Sequence, residues 1–478
     1  MTTSRTTAAT DPTVGDLPRE IEETPHHGGA FGKTFWMLNA IEAFERLAYF
    51  GIRAVVPIYI MQATEPGGLH LTAVDKGIIY AWWAIFQSWL PMVTGGYADR
   101  FGYKRTLSFA ISMNVVGYLL MAYLHSYAGF FVGILVLATG TAFFKPALQG
   151  SLAQKLNKEN ASMGWGVFYW VVNIGALAGP FIATPILGKP HSAETWRNLF
   201  LACAGFTACN FILLFTFRDV PSGADKTRSA IQVFWETIEN IAPLWIRDGR
   251  LVLQWRLPAF ILIMACFWMM MYQLWDLHPN FIEDWVDSAS VAHWVPFDSW
   301  WEYGDVGRLR VPQQILLSLN AALIILLVVP ISWIVRHMRA LSSMLIGMMI
   351  ATVGILVAGL TGNGWILLLG VVFFSLGEML TGPKKNQYLG LIAPPGKKGL
   401  YLGYVNIPVG LGVGIGSIVA GFVYDNYGEK ATLALRYLAE NTTYLSSRGA
   451  SWNGEVDTLE KAFEPFAIDR SNAFDTLM

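Results

Sequence analysis

Long apolar runs separated by short polar loops recur along most of the chain. A helix needs about 20 mostly apolar residues to cross a bilayer, because each residue adds about 1.5 Å to its length. Eleven segments meet this condition: 35–62, 76–97, 106–124, 128–152, 163–187, 197–217, 256–282, 312–335, 341–361, 364–393 and 400–424. The runs are continuous and do not alternate in polarity, so they predict membrane-spanning helices and exclude a membrane β-barrel.

The predicted spans fall into two groups. Residues 35–217 hold six spans, residues 256–424 hold five, and residues 218–255 between them form a predicted cytoplasmic linker. Apolar residues recur in this linker at helical spacing, which predicts an amphipathic helix on the bilayer surface (Ile231, Phe234, Trp235, Ile238 and Ile241). Two groups of spans joined by a long linker are typical of transporters built from repeats. The predicted fold class is therefore an all-α polytopic membrane protein with two helical halves.

Both ends of the chain are polar. Residues 1–34 hold no apolar core of a signal peptide, so we expect a disordered cytoplasmic N-terminus and insertion through the first span. Residues 425–478 are acidic and contain no apolar run of membrane length, so they form a predicted polar extracytoplasmic tail. A second half that matches the first needs a twelfth span. We expect the chain to stop before that span; the alternative is that the natural protein lacks it.

Cationic residues set the predicted orientation. They concentrate in the loops that follow even-numbered spans (Arg100, Lys104, Arg105, Lys155, Lys158, Arg336, Arg339, Lys397 and Lys398). Because short cytoplasmic loops carry an excess of Lys and Arg, these loops and the N-terminus are predicted to be cytoplasmic. The long loop after span seven is mainly acidic and lies on the opposite side. The predicted location is the cell (inner) membrane.

Composition agrees with this picture and excludes several functions. The chain is 54% hydrophobic and only 14% charged, whereas soluble domains average about 25% charged residues. A net charge of −1 offers no basic excess for nucleic acid. Metal-ligand clusters and nucleophile–base arrangements are lacking in the sequence, so we expect neither an enzyme nor a cofactor. The expected partners are the lipid bilayer, protons and a small solute, and the protein is expected to be a monomer.

Span one carries a polar stripe. At 100° per residue its polar side chains fall within about 100° of one helix face (Glu42, Glu45, Arg46, Tyr49 and Arg53), and Gly51 lies opposite, where it permits close helix contact. One interpretation is a static ion-pair strut formed by Glu42 and Arg46. We favour a face that borders a hydrated cavity, because four ionisable groups exceed what a strut requires.

Further charges lie inside other spans. Lys145 lies in span four, Glu378 lies in span ten, and Gly382-Pro383 predicts a helix break before Lys384 and Lys385. Opposite charges on different helices can exchange partners, and protonation of a carboxylate releases its cationic partner. This is the physical requirement for proton coupling.

The loop GGYADRFGYKRT, residues 95–106, combines charges of both signs at the end of span two. Asp99, Arg100 and Arg105 are placed to latch helix ends together in one conformation and to release them in another. The alternative is that the cations serve only as a topology signal. The specific pattern of the loop favours the latch.

This loop resembles the cytoplasmic signature of the major facilitator superfamily. Within that superfamily, the span-one stretch EAFERLAYFG looks like the Glu-x-x-Glu-Arg-Phe-x-Tyr-Tyr-Gly motif of proton-coupled oligopeptide transporters. Leu47 stands where the motif has Phe, and Phe50 stands where it has the second Tyr. Four other parts of the chain also resemble the family's motifs: FYWVVNIGAL at 168–177, FKP at 144–146, Glu378, and the span-eight stretch with Pro312 and Ser318-Leu319-Asn320. The resemblance covers residues 35–424.

The resemblance implies roles for individual residues. Glu42, Glu45, Arg46, Lys145 and Glu378 would carry proton coupling. The substrate-binding residues would be Arg53 and Lys145 at a peptide carboxylate, Glu378, Asn173 and Asn320 at the amino end, Tyr49 and Tyr80 at side-chain pockets, and Gln273 in span seven. Two features depart from the family: Asp276 and His278 follow Gln273, and Lys384 and Lys385 follow Glu378. These four residues are either paired internally or adapt the pocket to a particular substrate, although a lone His at a span end is more often a surface hydrogen-bonder.

The resulting hypothesis is a proton-coupled symporter that imports di- and tripeptides by alternating access between two halves. A proton-coupled symporter of another small polar or anionic solute is the alternative within transport, motivated by Lys384 and Lys385. A membrane nutrient sensor is the alternative from another class, but neither end of the chain offers a signalling domain.

Overall fold

The computed structural model describes residues 31–156, 160–188, 190–216, 256–294, 309–392 and 404–477, with short pieces at 218–219, 232, 246–247, 250–251 and 302–303. Most of the predicted N-terminal segment and of the predicted linker helix lies outside these residues, so both stay predictions.

The first half consists of six long helices and one short one. Their bounds are α1 (Lys33–Arg53), α2 (Val56–Met61), α3 (Ala73–Phe101), α4 (Tyr103–Tyr123), α5 (Tyr127–Ala153), α6 (Ala161–Leu187) and α7 (Ala193–Phe215). The first predicted span is therefore two helices, because α1 ends at Arg53 and α2 begins at Val56, with Pro57 in its first turn. Thr72 and Ser192 begin α3 and α7 with capping boxes, in which each side chain accepts a backbone N–H of the first turn.

The second half is less regular at its start. Its helices are α8 (Arg256–Met271), α9 (Gln273–Asp276), α10 (His278–Trp285), α11 (Ala289–Ala292), α12 (Gln313–Ile334), α13 (Ala340–Gly359), α14 (Gly364–Ile392) and α15 (Ile407–Tyr427). Predicted span seven is thus divided into α8, α9 and α10. Two antiparallel pairs of short strands lie outside the bundle: β1 (Ile246–Arg247) with β2 (Arg250–Leu251), and β3 (Glu302–Tyr303) with β4 (Leu309–Arg310). Short 3₁₀ turns at Val335–His337 and Tyr404–Asn406 precede α13 and α15.

The architecture confirms an all-α membrane protein. Among the described residues, nine helical segments are long and apolar enough to cross a membrane. Helices α1 and α3, with 21 and 29 residues, are also long enough to cross it. The predicted break at Gly382-Pro383 is wrong, since α14 continues to Ile392. Proline is tolerated inside membrane helices, where neighbouring groups satisfy the freed carbonyl.

Each half has its own buried core, and small residues let helices approach closely. The largest first-half cluster is centred on Tyr59, Phe130 and Phe200, and the second-half cluster on Phe374 and its neighbours. Helices α1 and α6 approach closely at Gly51, but Gly179 is the residue that has to be small: a Cβ added at Gly179 would lie 2.6 Å from the Gly51 nitrogen, whereas one added at Gly51 would lie 3.5 Å from the Gly179 carbonyl oxygen. Large apolar side chains on the outer faces remain exposed, as expected for helices that face lipid.

The predicted polar tail forms a folded unit. Its helices are α16 (Lys430–Asn441), α17 (Leu459–Phe463) and α18 (Ala473–Leu477), with 3₁₀ turns at Ser446–Arg448, Val456–Thr458 and Glu464–Phe466. Leu435 and Phe463 are completely buried in the core of this unit. The buried Arg470 forms an ion pair with Glu429 and donates to the backbone carbonyl of Leu71 (3.2 Å) in the loop before α3. Trp285 of α10 donates to the carbonyl of Gly428 (2.7 Å), so the tail contacts both halves.

Candidate functional site

A cavity of about 1190 Å³ lies between the two halves. Helices α1, α3, α5 and α6 line it from one side, and α8, α12, α14 and α15 line it from the other. Its wall is rich in aromatic rings and also includes six charged side chains: Glu42, Arg46, Arg53, Lys145, Glu378 and Lys385. A pocket of this size between two repeats can hold a small polar solute.

One end of the cavity is sealed by bonds between the halves. We call this the closed end; it is the end at which α1 finishes and α3 begins. Lys76 Nζ donates to the backbone carbonyl of Asp276 (2.9 Å) and to Asn280 Oδ1 (2.7 Å). Gln62 Nε2 donates to Asp284 Oδ1 (2.8 Å). Among the described residues, the hydrogen bonds and ion pairs that join the two halves cluster at this end.

An ion pair at the closed end forms the roof of the cavity. Arg53 of α1 pairs with Asp276 of α9, and both side chains are almost fully buried. The Arg53 guanidinium lies over the rings of Tyr80 (4.1 Å) and Trp83 (4.6 Å), and Ser417 Oγ donates to Asp276 Oδ2 (3.0 Å). Arg53 therefore has a protein carboxylate as its partner, where the sequence predicts a substrate carboxylate.

The polar face of α1 forms a dense charge cluster. Arg46 Nε lies 3.3 Å from Glu42 Oε1, as predicted from their spacing, and Arg46 also pairs with Glu45. Among the described atoms, the second oxygen of Glu45 has no hydrogen-bond partner although it is buried. Lys145 of α5 lines the same cavity, and its charge attracts both carboxylates at longer range than an ion pair. An unsatisfied buried carboxylate oxygen is a place where a proton or a water can bind.

The opposite wall carries the carboxylate of α14. Asn320 Nδ2 of α12 donates to Glu378 Oε2 (3.0 Å) and to Ser375 Oγ (3.0 Å). Asn173 of α6 lines the same cavity, and its Nδ2 donates to the carbonyl of Tyr169 (2.9 Å). The structure thus brings the three residues predicted for a substrate amino group to one cavity.

Several predicted site residues lie elsewhere. Gln273 is not on the cavity wall, and its Nε2 donates to the carbonyl of Met269 (2.9 Å). His278 is buried near Gly359, so its interpretation as a surface hydrogen-bonder is wrong. Lys384 is also buried; its Nζ lies 3.4 Å from the carbonyl of Met338. Lys385 lines the cavity, as do Tyr49 and Tyr80.

The predicted latch is described only in part. The side chain of Asp99 lies outside the described residues. Arg100 stacks at 5.1 Å over the ring of Phe101, and Arg105 is exposed. The backbone N–H of Lys104 donates to Asp219 Oδ1 (3.1 Å), just beyond α7. The loop therefore contacts the start of the linker, and the latch stays a prediction.

Sequence reasoning missed four residues that join the halves at the closed end: Gln62, Lys76, Asn280 and Asp284. Lys76 stands at the first position of predicted span two, where a cation is expected to face water, yet it is only 3% exposed. Asn280 carries no charge to attract notice, yet it is fully buried, and its Nδ2 also donates to the carbonyl of Pro57 (3.1 Å). Two features of the sequence could have indicated Lys76 and Asn280: a cation at the first position of predicted span two, and a polar stretch after Gln273 in predicted span seven.

Comparisons with known proteins agree with the fold. The sequence matches the profile of the Major Facilitator Superfamily over residues 40–383. An uncharacterized transporter, YclF of Bacillus subtilis (strain 168), is 32% identical over 170 residues, and the match spans only 34% of this chain and 34% of that protein. The multidrug resistance protein MdtH of Citrobacter koseri (strain ATCC BAA-895 / CDC 4225-83 / SGSC4696) is 20% identical over 82% of this chain and 87% of its own length.

Solved structures share the fold at low identity. A crystal structure of a POT family transporter in complex with 5-aminolevulinic acid has a TM-score of 0.63 and 16% identity, covering 83% of this chain and 91% of that one. A crystal structure of a mutant of the nucleoside transporter NupG has a TM-score of 0.63 and 13% identity, covering 83% of this chain and 93% of that one. Such similarity concerns the fold alone.

Proposed function

The chain belongs to the major facilitator superfamily, and from this premise we propose that it is a proton-coupled symporter that imports short peptides by alternating access. In the predicted orientation the closed end is extracytoplasmic, and under this proposal the cavity is closed to the outside. A solute that enters from outside requires the closed end to open.

The observation that carries the proposal is the buried Arg53–Asp276 ion pair between the halves. A buried ion pair is costly to keep and costly to break from one side only, because the remaining charge stays uncompensated. Protonation of Asp276 removes the charge that holds Arg53, and the closed end can then part. Lys76 donates to the backbone carbonyl of Asp276 and to the amide oxygen of Asn280, so these two hydrogen bonds also have to break when the closed end parts.

The cluster on α1 supplies a second site for the proton. Glu42 and Glu45 compete for Arg46 and face Lys145. A proton that moves to one carboxylate neutralises it and leaves Arg46 paired with the other, so the cluster accepts a proton and keeps one ion pair. This site lies on the cavity wall, where a bound solute can alter its balance of charge.

The two cavity walls favour a zwitterionic solute. Glu378, supported by Asn320, is placed to bind an ammonium, whereas Lys145 lies on the other half. A short peptide has an ammonium at one end and a carboxylate at the other, so it can bridge the two halves. Binding energy that depends on contacts to both halves drives closure around the solute.

Reconstitution in proteoliposomes tests the proposal. An imposed inward proton gradient should drive accumulation of a labelled dipeptide, and Glu45→Gln should abolish the dependence on the gradient. The control is Glu194→Gln, which alters an exposed carboxylate of α7 that faces Arg197 at 3.7 Å. Uptake in the native protein that ignores the proton gradient would overturn proton coupling.

Proton-driven export of amphipathic compounds is a second candidate. The aromatic lining of the cavity and the similarity to proteins described as multidrug resistance proteins favour it. The direction of transport distinguishes the candidates. With protons flowing inward, an exporter moves its solute outward, whereas a symporter moves its solute inward together with the protons.

A further inference from the structure

A cation on α14 faces the cavity, and its hydrogen-bond donors have no acceptor among the described residues. Lys385 lines the cavity, and its Nζ lies 4.4 Å from the centre of the Trp268 ring. Within the part of the chain that the structure describes, this ammonium donates no hydrogen bond and joins no ion pair. An ammonium has three donors, and an aromatic face balances its charge but leaves the donors free. Lys385 is therefore positioned by the Trp268 ring, with donors that no acceptor in the described ranges occupies.

The preceding residue provides a contrast. Lys384 is 8% exposed and does not line the cavity; its Nζ is directed to the carbonyl of Met338. Successive side chains of a helix point in directions about 100° apart, so Lys384 and Lys385 contact different parts of the protein. Lys384 is a matched control for any experiment on Lys385.

The remaining charges of the cavity wall are largely accounted for. Arg46 has the carboxylates of α1, and Arg53 has Asp276. Among the described residues, Lys145, Glu378 and Lys385 are the lining charges with no oppositely charged side chain at ion-pair distance. Lys145 interacts with the α1 carboxylates, and Lys385 with Glu378, only at longer range than an ion pair, so two cations and one carboxylate can still take a solute group as a direct partner. Their complement is a molecule with one ammonium and two anionic groups.

The spacing on α14 agrees with this complement. Lys385 follows Glu378 by seven residues, which is two turns and about 10 Å along the helix axis. An extended peptide covers about 3.3–3.6 Å per residue, so a dipeptide whose ammonium is at Glu378 extends toward Lys385 with a side chain or terminus. Lys145 lies across the cavity and faces the other anionic group.

We infer that Lys385 is a specificity-determining residue that binds a second anionic group, so the preferred solute is a short peptide with an acidic side chain. This inference rests on the proposed import of peptides. It adds a substrate class to that function and assigns the selectivity to one side chain outside the α1 cluster.

Competition with an isosteric ligand pair tests the inference. Unlabelled Ala-Glu and Ala-Gln compete for uptake of a labelled neutral dipeptide into proteoliposomes. A charge-assisted hydrogen bond in a buried site predicts a roughly 10- to 100-fold preference of the native protein for Ala-Glu. Lys385→Gln should remove the preference, Lys385→Arg should retain most of it, and Lys384→Gln should leave it unchanged.

The outcomes separate the inference from the function on which it rests. Native protein that takes up the labelled dipeptide but responds equally to Ala-Glu and Ala-Gln overturns the inference alone. Native protein that takes up no dipeptide overturns both. Because the preference of the native protein is itself a test, a Lys385→Gln variant that fails to fold does not rescue the inference.

Discussion

Replacing Asp276 by asparagine should open the closed end. The substitution keeps the size of the side chain and a hydrogen-bond acceptor for Ser417, which donates at 3.0 Å. It removes the negative charge that faces Arg53 and leaves that guanidinium without a counter-ion in a buried place. The conformation shown here loses its main ionic bond between the halves, whereas a conformation open at this end lets water reach Arg53.

The magnitude follows from burial. Both side chains of the pair are under 10% exposed, and breaking such a pair from one side costs about 3–5 kcal/mol. A change of about 5.5 kcal/mol shifts a two-state population from 1:99 to 99:1. The loss is therefore large enough to turn a dominant closed-end conformation into a minor one or to make the two comparable.

Distance measurements between spin labels can detect this shift. Leu124 after α4 and Trp294 after α11 are exposed near the closed end, one in each half, so cysteines placed there report its opening. In a background without native cysteines, Asp276→Asn should broaden the distance distribution and move it to longer values, and Glu194→Gln should not. An unchanged distribution in Asp276→Asn, with the native protein at the short distance, would refute the role of the ion pair as a gate.

Three further substitutions test other parts of the account. Gly179→Ala places a Cβ 2.6 Å from the backbone of α1 and should lower the melting temperature, because overpacking costs about 1–3 kcal/mol. Gly205 has open space around it, so Gly205→Ala should leave the melting temperature unchanged. Equal effects of the two substitutions would contradict the close contact. Arg470→Ala removes a buried ion pair of the tail and should speed proteolysis of the tail several-fold. Arg448→Ala, which alters an exposed cation over a tyrosine ring, should not change the rate. Equal rates would show that this ion pair does not hold the tail in place. Lys76→Met removes two hydrogen bonds between the halves and should increase labelling of cysteines at the closed end; unchanged labelling would remove Lys76 from the gate.

Much of the fold is predictable because a bilayer imposes a simple rule on the chain. Every helix that crosses it needs about 20 apolar residues, and the predicted limits of span six, 197–217, differ from those of α7 by only a few residues. The divisions at residues 54–55 and within span seven were not predictable, because hydropathy does not indicate where backbone hydrogen bonds are interrupted. The tail was missed for another reason: its short helices depend on contacts such as that of Arg470 with Leu71, which are 399 residues apart.

The candidate site was predictable where it lies on one helix. Helical periodicity placed Glu42, Arg46 and Arg53 on one face of α1, and the three residues line one cavity. The partner of Arg53 was not predictable, because Asp276 is 223 residues away and the sequence does not specify how two helices align. Neither was the difference between Lys384 and Lys385, since it depends on how α14 is rotated toward the cavity.

The central claim is that solute and proton enter together, and solute-induced proton flux tests it most directly. Proteoliposomes that contain the purified protein and a trapped pH indicator, with no gradient imposed, receive an external dipeptide. The account predicts acidification of the interior that depends on the peptide and is absent in Glu45→Gln. Entry of labelled peptide at an unchanged internal pH would contradict it.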